Sequence, residues 1–73
     1  MKKLEKLGVA VRLRRHELKM SQQELAAAAK EMDRSFLSEI ENGRKNLSIL
    51  VFLRLAEALE LEPDELLRRA FKK

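Results

Sequence analysis

Two helix-start signals stand twelve residues apart, at Ser21 and Asp33, and no glycine or proline lies between them. Residues 20–43 read MSQQELAAAAKEMDRSFLSEIENG. Ser21 with Glu24 at the third helical position makes a capping box, and Met20 just before it can act as a hydrophobic staple. Asp33 repeats the N-cap signal, and Gly43 stands where a helix needs a left-handed residue after its last turn. The first helix is therefore expected over residues 22–30, with Leu25, Ala26 and Ala29 inward, and the second over 34–42. Neither can bury its apolar side alone. Both must pack on each other and on a third element, which points to a small all-α domain.

The rest of the chain supplies that support. Leu4, Leu7, Val11 and Leu18 form one stripe of a helix expected over residues 3–19, interrupted by Arg14 and Arg15 where apolar residues were due. RKNL is a loop, and Ser48 can cap a fourth helix over 49–59. Pro63 opens a fifth, with Asp64 and Glu65 at its positive pole and Arg68, Arg69, Lys72 and Lys73 at the other. The total is five short helices. A chain of 73 residues buries only about 60% of the surface it exposes unfolded. Without cysteine, and with one histidine, it has no disulfide and no credible zinc set. No secretion signal and no apolar run of membrane-spanning length is present. A cytoplasmic, nucleoid-associated protein is the expectation, with no membrane, cofactor or small-molecule ligand.

Charge is segregated. Residues 1–20 carry seven bases against two acids, and residues 55–67 carry five acids and no base. Such a chain can meet a polyanion with one side, although solvated helix faces would look the same. The third helix is more specific. At about 100° per residue, Phe36, Leu37 and Ile40 form its buried side. Arg34, Ser35, Ser38, Glu39 and Asn42 form the other, a face of short or forked hydrogen-bonding groups without lysine. Arginine pairs bidentately with guanine in the major groove, serine reaches bases or phosphates, and glutamate accepts from cytosine. Glu41 falls at the edge of the buried side. An ion pair with Arg15 explains both misplaced charges, since either alone is costly there. In the fourth helix Phe52, Ala56 and Leu59 align with Ile49 inward. Leu50 and Val51 point elsewhere, and with Arg54 they form a surface best covered by a second copy. The alternative is that the fifth helix covers them.

SQQELA, then DRSFLSEIENGRKNLS and LAEALELEPDELL, together resemble the Cro/phage-repressor (XRE-type) helix-turn-helix family, and most nearly the controller proteins of restriction–modification systems. The likeness runs from about Val11 to Leu67. It implies a five-helix lambda-repressor-like domain with the helix-turn-helix at helices 2–3, one domain over 1–73. It further implies double-stranded DNA as partner and a homodimer through helices 4–5 on an inverted repeat whose half-sites lie about 34 Å apart. By the same resemblance Gln22, with Gln23 beside it, meets a phosphate; Arg34, Ser35 and Glu39 read bases; Ser38 touches base or backbone; Asn42, Arg44, Lys45 and Asn46 grip the sugar-phosphate chain; and Arg15–Glu41 is an internal salt bridge. Three departures stand out. Leu25 to Leu37 is one step longer than usual. The turn glycine is replaced by Lys30 or Glu31, so a longer second helix is expected. Phe36 replaces a frequent tyrosine and loses its phosphate contact.

Nothing points to an enzyme. His16 is a surface or packing residue, and the serines have capping or contact roles. Two other functions fit the scaffold: an antitoxin-like module that binds a protein through the fourth and fifth helices, and a nonspecific nucleoid protein. Glu39 and Glu41 argue against the latter, because nonspecific binders gain from uniform positive charge.

Overall fold

In the computed structural model, residues 1–72 are described, and Lys73 of the expected basic pole lies outside them. Five helices follow in order: α1 (Lys3–Glu17), α2 (Gln22–Ala28), α3 (Arg34–Glu41), α4 (Ile49–Ala58) and α5 (Pro63–Phe71). α1 packs against α5 and α3, α2 against α3, and α4 against α5. Val11, Leu25, Leu37, Ile40, Leu55, Leu59 and Leu66 are fully buried at the centre. α2, α3 and α4 each start at a side-chain cap that accepts a backbone N–H. The Ser21 hydroxyl accepts from the Glu24 N–H while the Glu24 carboxylate accepts from the Ser21 N–H. Asp33 caps α3 through the Ser35 N–H at 2.7 Å, and Ser48 caps α4 through the Val51 N–H.

The helix ends correct several expectations. α1 stops at Glu17 because Lys19 turns left-handed, φ 58°. α2 is shorter than expected, not longer. It ends at Ala28, and both Lys30 (φ 64°) and Glu31 (φ 57°) adopt the left-handed conformation. The Met32 N–H then donates back to the Ala26 carbonyl at 2.8 Å. The extra residue is thus spent inside the turn. Lys30 and Glu31 can do this because their exposed side chains point into solvent, at a cost of roughly 1 kcal/mol each relative to glycine. Gly43 (φ 71°) has no such freedom: a Cβ there would lie 2.8 Å from Glu5 Cα, where the first turn of α1 presses on the chain.

α4 buries Phe52, Leu55 and Ala56, with Leu59 buried at its C-cap, whereas Ile49 is 72% exposed. The expected inward Ile49 is therefore wrong: it sits off the centre of that stripe, in the first turn. Val51 is half-buried and packed against the core. Phe36 is also only half-buried, at the edge of the α3 packing face rather than within it.

Candidate nucleic-acid interface

The two charges that break the apolar stripes meet inside the fold. Arg15 Nε donates to Glu41 Oε2 at 2.7 Å, and Arg15 Nη2 to Oε1 at 3.0 Å. The third guanidinium nitrogen, Nη1, donates to the Met20 carbonyl at 2.9 Å. Arg15 is 8% exposed and Glu41 3%. A two-point fork whose third nitrogen is also bonded is the geometry that makes a buried ion pair tolerable. It ties α1 to the end of α3 and, through Met20, to the start of α2.

Gln22 extends this network outward. Its Nε2 donates to Glu41 Oε1 at 3.0 Å, and its Oε1 accepts from Arg34 Nη1 at 3.4 Å. Gln22 is half-buried rather than free, and the neighbouring Gln23 is exposed. Along α3, Arg34 and Ser35 are exposed at the leading end, Ser38 and Glu39 half-buried along the flank, and Asn42 exposed at the close. Arg44, Lys45 and Asn46 follow in the loop, all exposed. Lys45 comes back to share a surface hollow with Asp33, Ser35, Phe36 and Glu39. Ser35, Glu39 and Lys45 thus share one surface, Arg34 and Gln22 meet beside it, and Asn46 lies away from it, lining a cleft with Ile49 and Leu67. Leu50, Val51 and Arg54 lie on α4, outside the α3 surface.

One neighbour of this face went unassigned in the sequence. Arg12, on α1, lines a cleft with Met1, Glu5, Val9, Glu41 and Asn42. The excess of bases over residues 1–20 was its only signal, because its register depends on how closely α1 crosses α3.

A helix bearing an open polar face, braced by a shorter capped helix across a tight turn, is the geometry of a DNA-reading pair. The helix-turn-helix family profile matches residues 11–66. The chain belongs to the XRE-type helix-turn-helix family. Solved structures of gene regulators share the fold. The restriction-modification controller protein C.AhdI from Aeromonas hydrophila is 40% identical, with 86% of this chain and 94% of that one covered and a TM-score of 0.82. The clp gene regulator ClgR from C. glutamicum is 31% identical over 96% of this chain and 90% of that one, TM-score 0.87. The restriction-modification controller protein C.Esp1396I is 26% identical over 96% and 88%, TM-score 0.86. No curated protein sequence matches. This helix-turn-helix protein is a DNA-binding transcriptional regulator. No helix among the described residues is long and apolar enough to cross a membrane.

Proposed function

We propose that the chain acts as a homodimer on an inverted-repeat operator, in the manner of a restriction–modification controller. The observation that carries this reading is the α3 face, held from behind by the Arg15–Glu41 fork. Arg34, Ser35 and Glu39 are assigned to base edges, with Ser38 to base or backbone. Asn42, Arg44, Lys45 and Asn46 are assigned to phosphates and sugars. Gln23 joins them, as does Gln22 through the amide hydrogen it does not give to Glu41. The likeness to C.AhdI over most of both chains supports the controller assignment.

The dimer surface is the outward side of α4 with the adjoining part of α5. Ile49, Leu50, Leu53 and Leu67 are all large, apolar and substantially exposed. Ile49 and Leu67 line one cleft with Leu4 and Phe52. An apolar surface of this kind on a small domain is best explained by a partner, and a two-fold copy covers it with the same patch of the second chain. Arg54 lies at its rim, and half-buried Val51 contributes little. The whole chain is then one domain, DNA-reading at α2–α3 and self-associating at α4–α5. It works by occupancy of promoter DNA in the nucleoid rather than by catalysis, and its control comes from its own concentration through the dimer equilibrium.

Selection of bound duplexes from a randomised pool, at about physiological salt where specific and nonspecific binding separate, tests this reading. Enrichment of an inverted repeat with half-sites about one helical turn apart is the expected outcome. Binding that vanishes with rising salt, without enrichment, would remove the operator-reading function.

A further inference from the structure

Arg14 and Arg15, consecutive residues of α1, reach into different parts of the domain. Arg15 holds Glu41 at the end of α3 and the Met20 carbonyl just before α2. Arg14 reaches the other half. Its Nε donates to the Leu59 carbonyl at 3.0 Å, and its Nη1 to Glu17 Oε1 at 3.0 Å. The same Glu17 oxygen accepts from Arg69 Nη1 of α5, also at 3.0 Å. Leu59 is the C-cap of α4. Carbonyls at a helix end lack an intrahelical partner, and a guanidinium there also meets the negative end of the helix dipole. One half-buried side chain thus joins α1 to the end of α4 and, through Glu17, to α5. This accounts for the second charge in the apolar stripe of α1: an apolar residue at position 14 would leave the junction without its donors.

The main helix packings run in a chain, α4 on α5, α5 on α1 and α1 on α3. The orientation of the self-associating half relative to the reading helix is therefore relayed through α1. Packed helices can slide on one another by small shear motions, whereas hydrogen bonds weaken steeply when their geometry is bent. We infer that Arg14 is a positioning residue, which fixes the α4–α5 half against α1 and so sets the half-site spacing that the dimer accepts. The inference rests on the homodimer proposed above. In a two-fold dimer any turn of α4 against α1 displaces both recognition helices, so the error appears twice. One base pair shifts a half-site by about 3.4 Å and rotates it by about 34° around the DNA axis. Operator spacing is thus a fine gauge of this one junction.

The test compares the wild-type protein with Arg14→Met, which keeps an apolar stem and removes the donors. Each is titrated against the selected operator, against versions with one or two base pairs added or removed between the half-sites, and against a single half-site. Circular dichroism and sedimentation fix conditions of full helicity and dimer. The wild type is expected to lose roughly tenfold or more in affinity at each altered spacing, because DNA or protein must deform to bridge it. Arg14→Met should cut that discrimination to roughly threefold, with half-site base preferences and single half-site affinity unchanged. If the folded, dimeric variant keeps the wild-type spacing preference, or weakens every duplex by one factor, Arg14 is a stabilising contact alone and the inference fails. If the wild type is a monomer, or shows no spacing preference, the homodimer reading fails first and takes the inference with it. Glu17→Ala removes the acceptor that Arg14 and Arg69 share. It serves in the same assay, with the same direction expected, should Arg14→Met not fold or not dimerise.

Discussion

Gly8 lies directly against the last turn of α3: a Cβ built on it would stand 2.5 Å from the carbonyl oxygens of both Ile40 and Glu41. Two turns further along α1, Arg15 takes hold of the Glu41 side chain. Glu41 is thus pinned twice by one helix, through its backbone and its carboxylate. Gly8→Ala should improve the intrinsic helix propensity of α1 by nearly 1 kcal/mol yet destabilise the protein, because backbone carbonyls cannot yield as a flexible side chain can. The expected net loss is about 1–3 kcal/mol in urea denaturation. A gain in stability would show that α1 and α3 stand further apart than described.

The Arg15–Glu41 pair makes an asymmetric prediction. Removing one partner leaves an uncompensated buried charge, so Arg15→Ala or Glu41→Ala should cost about 3–5 kcal/mol. Replacing both by apolar residues of similar volume, Arg15→Met with Glu41→Leu, should recover most of that loss. Equilibrium unfolding of the four proteins checks it. Additive single losses would mean that the two side chains do not act as a unit.

How far the sequence foretells this structure depends on how local each determinant is. The caps at Ser21, Asp33 and Ser48 and the glycine at Gly43 are set within a few residues, and all sit where the local pattern puts them. Arg15 and Glu41 were readable as a pair because each broke an apolar stripe. The α2–α3 turn was not, because two left-handed residues in succession, Lys30 and Glu31, have no side-chain signature. Ile49 misled because periodicity gives a stripe but not where the packing partner ends. Gln22 carried only an expected phosphate contact, because its bond to Glu41 spans nineteen positions. The candidate face could therefore be drawn from sequence, but not its internal wiring.

Arg34 and Lys45 should separate base reading from backbone grip. Arg34→Ala is expected to relax preference at one position of each half-site and to cost about 1–3 kcal/mol on the best operator. Lys45→Ala should weaken all duplexes similarly and reduce the slope of log K against log salt by about one unit. Titrations at several salt concentrations, on specific and scrambled DNA, measure both. Equal losses on every sequence for the two variants would strike Arg34 from the reading set.

Acid should loosen the α1–α5 contact. Glu17 accepts from Arg14 and Arg69, each at 3.0 Å, and the Arg14 bond foremost, then the Arg69 bond, holds its carboxyl below the ordinary value. Asp64 is lowered chiefly by its bond from Arg68. A carboxylate with a depressed folded-state pKa adds stability above its unfolded pKa, and that contribution is lost as pH falls through the folded value. Thermal midpoints should therefore hold steady near neutrality and decline below about pH 4. Both groups are exposed, so the effect is modest. Glu17→Gln should flatten the decline. An unchanged acid limb in that variant would remove Glu17 as a contributor.

The exposed apolar side of α4 makes the last prediction. Leu50 is 56% exposed and Ile49 72%, so neither contributes much to a monomer's core, and substituting them should change monomer stability within about 0.5 kcal/mol. In a dimer the same positions lie at the two-fold contact, where each substitution acts twice. Leu50→Glu and Ile49→Lys should then convert the protein to a monomer in sedimentation equilibrium at micromolar concentration. They should also abolish the concentration dependence of its melting temperature. Affinity for a full inverted repeat should fall toward that for a single half-site, because the second recognition helix no longer arrives with the first. The wild-type protein sedimenting as a monomer well above micromolar concentration would reject the homodimer and leave this surface to a different protein partner.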